Sequence, residues 1–129
     1  MCNGRWRVLV LCGALLSVSA MPGQGPAVRN LMREKLQIVQ KILEAVVTSD
    51  WVSLEGNTQD LARLTNDPRW TVLKYPEYAK QSAAFLRAVE ALHAAAVQRD
   101  LDKTPKAYAS LTLQCVECHR YLARQRVAH

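Results

Sequence analysis

The stretch TPKAYASLTLQCVECHRYLARQRV, Thr104 to Val127, decides the fold. Thr104 followed by Pro105 reads as a helix N-cap and first helical residue, because the ring fixes the right φ where no amide proton is needed. Tyr108, Leu111, Cys115, Cys118 and Leu122 then recur at spacings of three and four, which is one face of a helix. Arg120, Arg124 and Arg126 fall in the last turns, where cations meet the negative end of the helix dipole. The spacing predicts a helix from Thr104 to about Val127.

The same period runs upstream. Val28, Met32, Leu36, Val39, Leu43 and Val46 alternate by four and three, with Arg29, Arg33, Lys41 and Glu44 on other faces, predicting a helix over about 27–47. Thr48, Ser49 and Asp50 stop it, and Asp50 caps a second helix holding Trp51, Leu54, Leu61 and Leu64. Gly56 costs that helix about 1 kcal/mol, and with Asn57 and Thr58 beside it a break or loose end is expected there. Asn66-Asp67-Pro68 punctuates the chain. Residues 69–75 are expected as a loop that folds Trp70, Val72, Leu73 and Tyr75 back over the helices. Pro76 opens a third helix with Tyr78, Ser82, Phe85, Val89, Leu92 and Ala96 inward, and the stretch from Arg99 to Lys103 links it to the fourth. Four helices, short links and no strand pattern or repeat predict an all-α, antiparallel up-down-up-down four-helix bundle.

The N-terminus reads as a signal peptide, 1–20. Arg5 and Arg7 precede an uncharged run from Val8 to Leu16, and Val18-Ser19-Ala20 puts small residues at the cleavage positions. The run is shorter than the ~20 residues that span a bilayer, so no stable membrane anchor is expected. Cys12 follows the bulky Leu11, which argues against lipoprotein processing. Residues 21–26 are expected as a flexible leader and 27–129 as one domain. Export would remove Cys2, Cys12 and two of the 17 basic residues, leaving 15 against 11 acidic ones, a formal +4. That mild charge suits an acidic protein partner. There is no basic block or stripe with interleaved aromatics, and nucleic acid is not expected as a partner.

Cys115-Val116-Glu117-Cys118-His119 carries the chemistry. Two thiols three apart with a histidine after the second form the attachment motif for c-type haem. Each thiol adds to one of two vinyl groups on adjacent porphyrin edges, and the neighbouring imidazole ligates the iron. On a helix all three project toward nearly one face, which Leu111 and Leu122 are expected to turn inward. The alternatives fit less well. A disulfide across i,i+3 of a helix is strained, a thioredoxin-like pair wants an α/β setting, and structural zinc wants four ligands. Beyond the motif the exported chain offers only His93, His129 and scattered carboxylates. Haem attachment also takes place outside the cytoplasm, in accord with the signal peptide.

A four-helix pattern with Cys-x-x-Cys-His in the last helix resembles the class II c-type cytochromes, the cytochrome c-prime superfamily, over about residues 27–127. The resemblance implies one covalent haem c on Cys115 and Cys118, His119 as proximal iron ligand, and a periplasmic, non-enzymatic role in electron transfer with a redox partner protein. It also admits a homodimer. Members of this family differ at the sixth iron position, which is either open to small gases such as NO and CO or filled by a methionine of the first helix. Met32 is the one methionine that can serve, since Met1 leaves with the signal and Met21 is the new terminus. In an up-down bundle Met32 and His119 lie roughly 8 and 12 Å from the same end, at about 1.5 Å per residue. Met32 is therefore expected as the axial ligand, against the bland reading of a gap-filling core methionine. The five-coordinate branch usually has an aromatic three residues after the histidine and a basic residue next; here Leu122 and Ala123 stand there.

The remaining candidates have structural readings. His93 is expected at the bundle boundary and His129 at a loose end. Arg33, Arg120 and Arg124 are expected on solvated faces rather than against a haem propionate, and Trp70, Tyr75 and Tyr78 in packing. No nucleophile–base pair, phosphate loop or carboxylate pair suggests an enzyme.

Overall fold

The computed structural model describes residues 25–71 and 75–127. The expected signal peptide, most of the 21–26 stretch, Val72, Leu73 and His129 lie outside the described residues. Four helices carry the chain: α1 (Pro26–Thr48), α2 (Trp51–Leu64), α3 (Pro76–Val97) and α4 (Lys103–Val127), with a short 3-10 helix at Pro68–Thr71. No strand occurs among the described residues, and the all-helical chain is consistent with a four-helix bundle.

The helix ends follow from local chemistry. Pro26 sits in the first turn of α1 rather than in a leader, where its missing amide proton costs nothing. α1 and α3 end alike, on Ser49 and Arg99 in the left-handed region (φ 56 and 52°). After each, an aspartate amide returns to the helix: Asp50 N–H to the Ala45 carbonyl and Asp100 N–H to that of Ala95. Each aspartate then serves the next helix. The Asp50 carboxylate accepts from Ser53 N–H at 3.1 Å, and that of Asp100 accepts from Lys103 N–H at 2.8 Å. The Ser53 hydroxyl on Asp50 and the Lys103 ammonium on Asp100, and after them these backbone bonds, hold both carboxyls below the usual aspartate range. α4 therefore begins one residue before the expected Thr104 cap. The Thr104 hydroxyl instead donates to the Asp100 carbonyl at 2.6 Å from a buried position.

α2 runs unbroken through Gly56. Leu54, Thr58 and Leu61 are fully buried, and Asn57 Nδ2 and Thr58 Oγ1 both donate to carbonyls one turn back, so side-chain burial outweighs the weak glycine. A Cβ at Gly56 would meet nothing within 4 Å. Gly56→Ala is therefore expected to stabilise the protein by about 1 kcal/mol, seen as a higher urea midpoint at unchanged slope.

The buried line of α1 differs from the expected stripe. Val28, Leu31, Lys35, Ile42 and Ala45 face the core. Met32, Val39 and Val46 are half-buried, and Leu36 (57% exposed) and Leu43 (44%) face outward. Residues 28, 31, 35, 38, 42 and 45 also keep the three–four spacing of a helix face, so α1 carries two adjacent stripes. The one that packs inward is the one interrupted by a lysine.

The core joins Leu31, Ile42 and Ala45 of α1 to Leu54, Leu61 and Leu64 of α2, Trp70, then Phe85, Val89, Leu92 and Ala96 of α3, and Leu111 of α4. Trp70 reaches it because the 3-10 helix is tied on both sides. Its indole N–H donates to Ser82 Oγ at 3.1 Å, and Tyr78 Oη donates to its carbonyl at 2.5 Å. Arg69 pairs with Asp67 and, across to α1, with Glu34. The Arg69 guanidinium brings the Asp67 carboxyl down to about 2. Tyr75, expected in core or haem-edge packing, is not in the core and stands exposed. α4 packs chiefly against α3 and only sparsely against α1, whereas α2 packs on both α1 and α3. No described helix is long and apolar enough to cross a membrane.

Candidate functional site

α4 places the two thiols one turn apart on its inner side. After Leu111, toward the C-terminus, no described α4 side chain is fully enclosed: Cys115, Cys118, Tyr121 and Leu122 are half-buried, and His119, Arg120 and Arg124 are exposed. Cys115 and Cys118 are free thiols, in keeping with the strain a disulfide across one helical turn would carry. Cys115 rests against the core cluster, as does Met32 from α1. The outward position of His119 departs from the expectation that all three motif side chains turn inward. The helix explains it: Cys118 and His119 flank Cys115 on opposite sides, and the inner face is centred between Cys115 and Cys118, where Leu111 and Leu122 also lie, so His119 falls beyond its edge.

Lys35 is the group that sequence reasoning missed. Its side chain is 7% exposed. Its ammonium lies 3.7 Å from the centre of the Phe85 ring and 4.8 Å from that of Trp70. Those two rings are themselves tilted against each other with centres 5.4 Å apart. The negative ring faces partly replace lost water around the cation. No carboxylate among the described residues pairs with it. Burial pushes its pKa below the ordinary lysine value, while Cys115 and Cys118, as thiolates, oppose that shift. Reciprocally, burial pushes the Cys118 thiol up, Lys35 draws it down, and Cys115 adds a smaller upward push. Tyr78 is raised, first by burial and then by Cys118. Lys35, Cys115, Cys118 and Tyr78 thus share one electrostatic neighbourhood inside the bundle. The signal for Lys35 was present in the sequence as the lone charge in the 28–31–35–38–42–45 line.

His93 sits at the expected boundary, half-buried, with Nδ1 2.9 Å from Thr58 Oγ1. That hydroxyl is also within reach of the Leu54 and Glu55 carbonyls, so the contact ties α3 to α2. An open pocket of about 480 Å³ lies between the 3-10 helix and the first turns of α3, lined by Trp70, Tyr75, Tyr78, Ser82 and Leu86 among others. No residue of Cys115–His119 lines it. Among the described residues no three His, Cys, Asp or Glu side chains gather as a metal-ion cage, and tetrahedral zinc would require four such ligands.

The donor set suits one group in particular. Two free, half-buried thiols on one helix and a histidine directly after the second are the residue types that covalent haem attachment uses, with His119 exposed at the edge of the face the thiols share. Cys115 and Cys118 would hold it and His119 would ligate its iron. Comparison of the chain with protein-family models, with curated proteins and with solved structures finds no match in any of the three.

Proposed function

We propose that this chain is an exported, periplasmic mono-haem c-type cytochrome that carries electrons between partner proteins. Its four helices run up-down-up-down, as in the class II c-type cytochromes that it resembles. The observation that carries the reading is the pair of free thiols, Cys115 and Cys118, half-buried one turn apart on α4, with Cys115 against the same core that Met32 touches from α1. Bound haem supplies a one-electron ferric/ferrous couple. The chain's share would be to fix it through Cys115 and Cys118 and to ligate its iron through His119 and Met32. A thioether at that position favours the ferrous state and raises the potential. Burial beside the core cluster that Cys115 and Met32 pack against would exclude water and act in the same direction.

Met32→Ala separates this reading from a gas-binding one. Met32 packs against the core, which also suits a gap-filling methionine beside an open iron position. Electron transfer with His/Met ligation requires a low-spin ferric spectrum with a sulfur-to-iron charge-transfer band. Met32→Ala should abolish that band, turn the protein high-spin and open the ferrous form to carbon monoxide. A wild-type protein that is already high-spin and binds carbon monoxide readily selects the gas-binding reading instead.

A further inference from the structure

We propose that Lys35 is a positioning residue that holds a positive charge beside the attached haem and raises its reduction potential. This inference rests on the haem reading above and concerns a residue that the motif does not include. Three observations bear on it. Lys35 is a buried cation whose neighbours, among the described residues, are the rings of Phe85 and Trp70 rather than a carboxylate. Its ammonium lies over the rings of Phe85 and Trp70, members of the core cluster against which Cys115 packs from α4, so Lys35 and Cys115 meet the same core from two helices. Lys35 sits one turn beyond Met32, on a neighbouring strip of the same helix.

A lysine in an apolar line is costly to keep, because its ammonium loses water on burial. The aromatic pair offsets part of that loss and points the cation at a fixed place instead of letting it snorkel to solvent. When a reduced partner protein donates one electron, the site's positive charge falls by one, and it rises again when an oxidised partner takes that electron away. No proton moves and no bond is made. A fixed ammonium nearby repels the more positive ferric state and thereby favours the ferrous one, with little screening by salt inside the bundle.

The test is redox potentiometry with absorption spectra on the full haem-loaded protein, comparing wild type with Lys35→Leu and Lys35→Arg. Leucine removes the charge and keeps an apolar filler; arginine keeps the charge and stacks on aromatic faces. The expected result is that Lys35→Leu shifts the equilibrium toward ferric by about tenfold, about 59 mV for a one-electron couple. Lys35→Arg stays within about threefold of wild type, and both keep the wild-type ferric spectrum. An unchanged potential in Lys35→Leu overturns the proposal. So does a change of that variant's ferric spectrum from low- to high-spin, which would make Lys35 an iron ligand instead of a charge. A wild-type protein without acid-resistant haem overturns the haem reading itself, a failure visible before either variant is measured.

Discussion

Replacing both Cys115 and Cys118 by alanine is expected to leave the protein with no haem that survives acid denaturation, while single replacements keep a fraction attached through one thioether. The expectation follows from position. Both thiols are free and half-buried on the inner side of α4, and the described residues hold no other cysteine that could substitute. The loss should concern attachment rather than folding. Neither side chain is fully enclosed, and the α4 residue that closes the core, Leu111, lies a full turn before Cys115. The helical circular dichroism of the double variant should therefore stay near that of unloaded wild type. His119→Ala is the companion case. On the proposed reading it would leave both thioethers in place and remove the iron ligand, so the chromophore should remain bound to the polypeptide with a changed spectrum.

The second large effect falls on stability. Phe85→Ala is expected to destabilise the protein by about 3–5 kcal/mol, the range for emptying a buried aromatic position. Phe85 is 2% exposed, lies within the cluster that joins all four helices, and meets Trp70 ring to ring. It also forms the nearer of the two faces under the Lys35 ammonium, so its removal leaves a buried cation with one aromatic neighbour. A domain of this size has only about 5–15 kcal/mol in total. The variant should thus unfold at a much lower urea concentration, or fail to reach the native state without ligand. Phe85→Leu fills most of the volume and should lose less, which separates the packing loss from loss of the ring face.

The helices themselves were legible because each is announced by a short local signal. Asp50 before Trp51 and Pro76 before Glu77 open α2 and α3 where expected, and Leu64 and Val97 end them. What escaped was the choice among equally good local patterns. α1 carries two adjacent stripes with the same spacing, and only its neighbours decide which one is buried. The unbroken apolar line looks the better core face in isolation, yet the line containing Lys35 is the one its neighbours enclose. The start of α4 was misplaced for a related reason. Thr104-Pro105 is a sound cap by itself, but Asp100 is already in place to accept from Lys103 N–H. Local propensity also overstated the weakness of α2 at Gly56, where burial of Leu54, Thr58 and Leu61 decides.

The motif shows the same division. Five consecutive residues were enough to propose the chemistry, since the spacing of two thiols and an imidazole is a covalent requirement. Their orientation was not legible. A helix turns 100° per residue, so Cys115, Cys118 and His119 cover a broad arc, and packing against α1 and α3 determines which part faces inward. That arc leaves the thiols half-buried and His119 exposed. Lys35, on a different helix and 80 positions before Cys115, could be joined to the site only by the fold.

The central claim is covalent haem on α4. Its most direct test is the absorption spectrum of the full chain, purified from a host that attaches haem c and recorded after acid denaturation and separation from free haem. A haem spectrum that stays with the polypeptide, one haem per chain, is the predicted result. A colourless polypeptide, or a chromophore that separates from it, would contradict the claim.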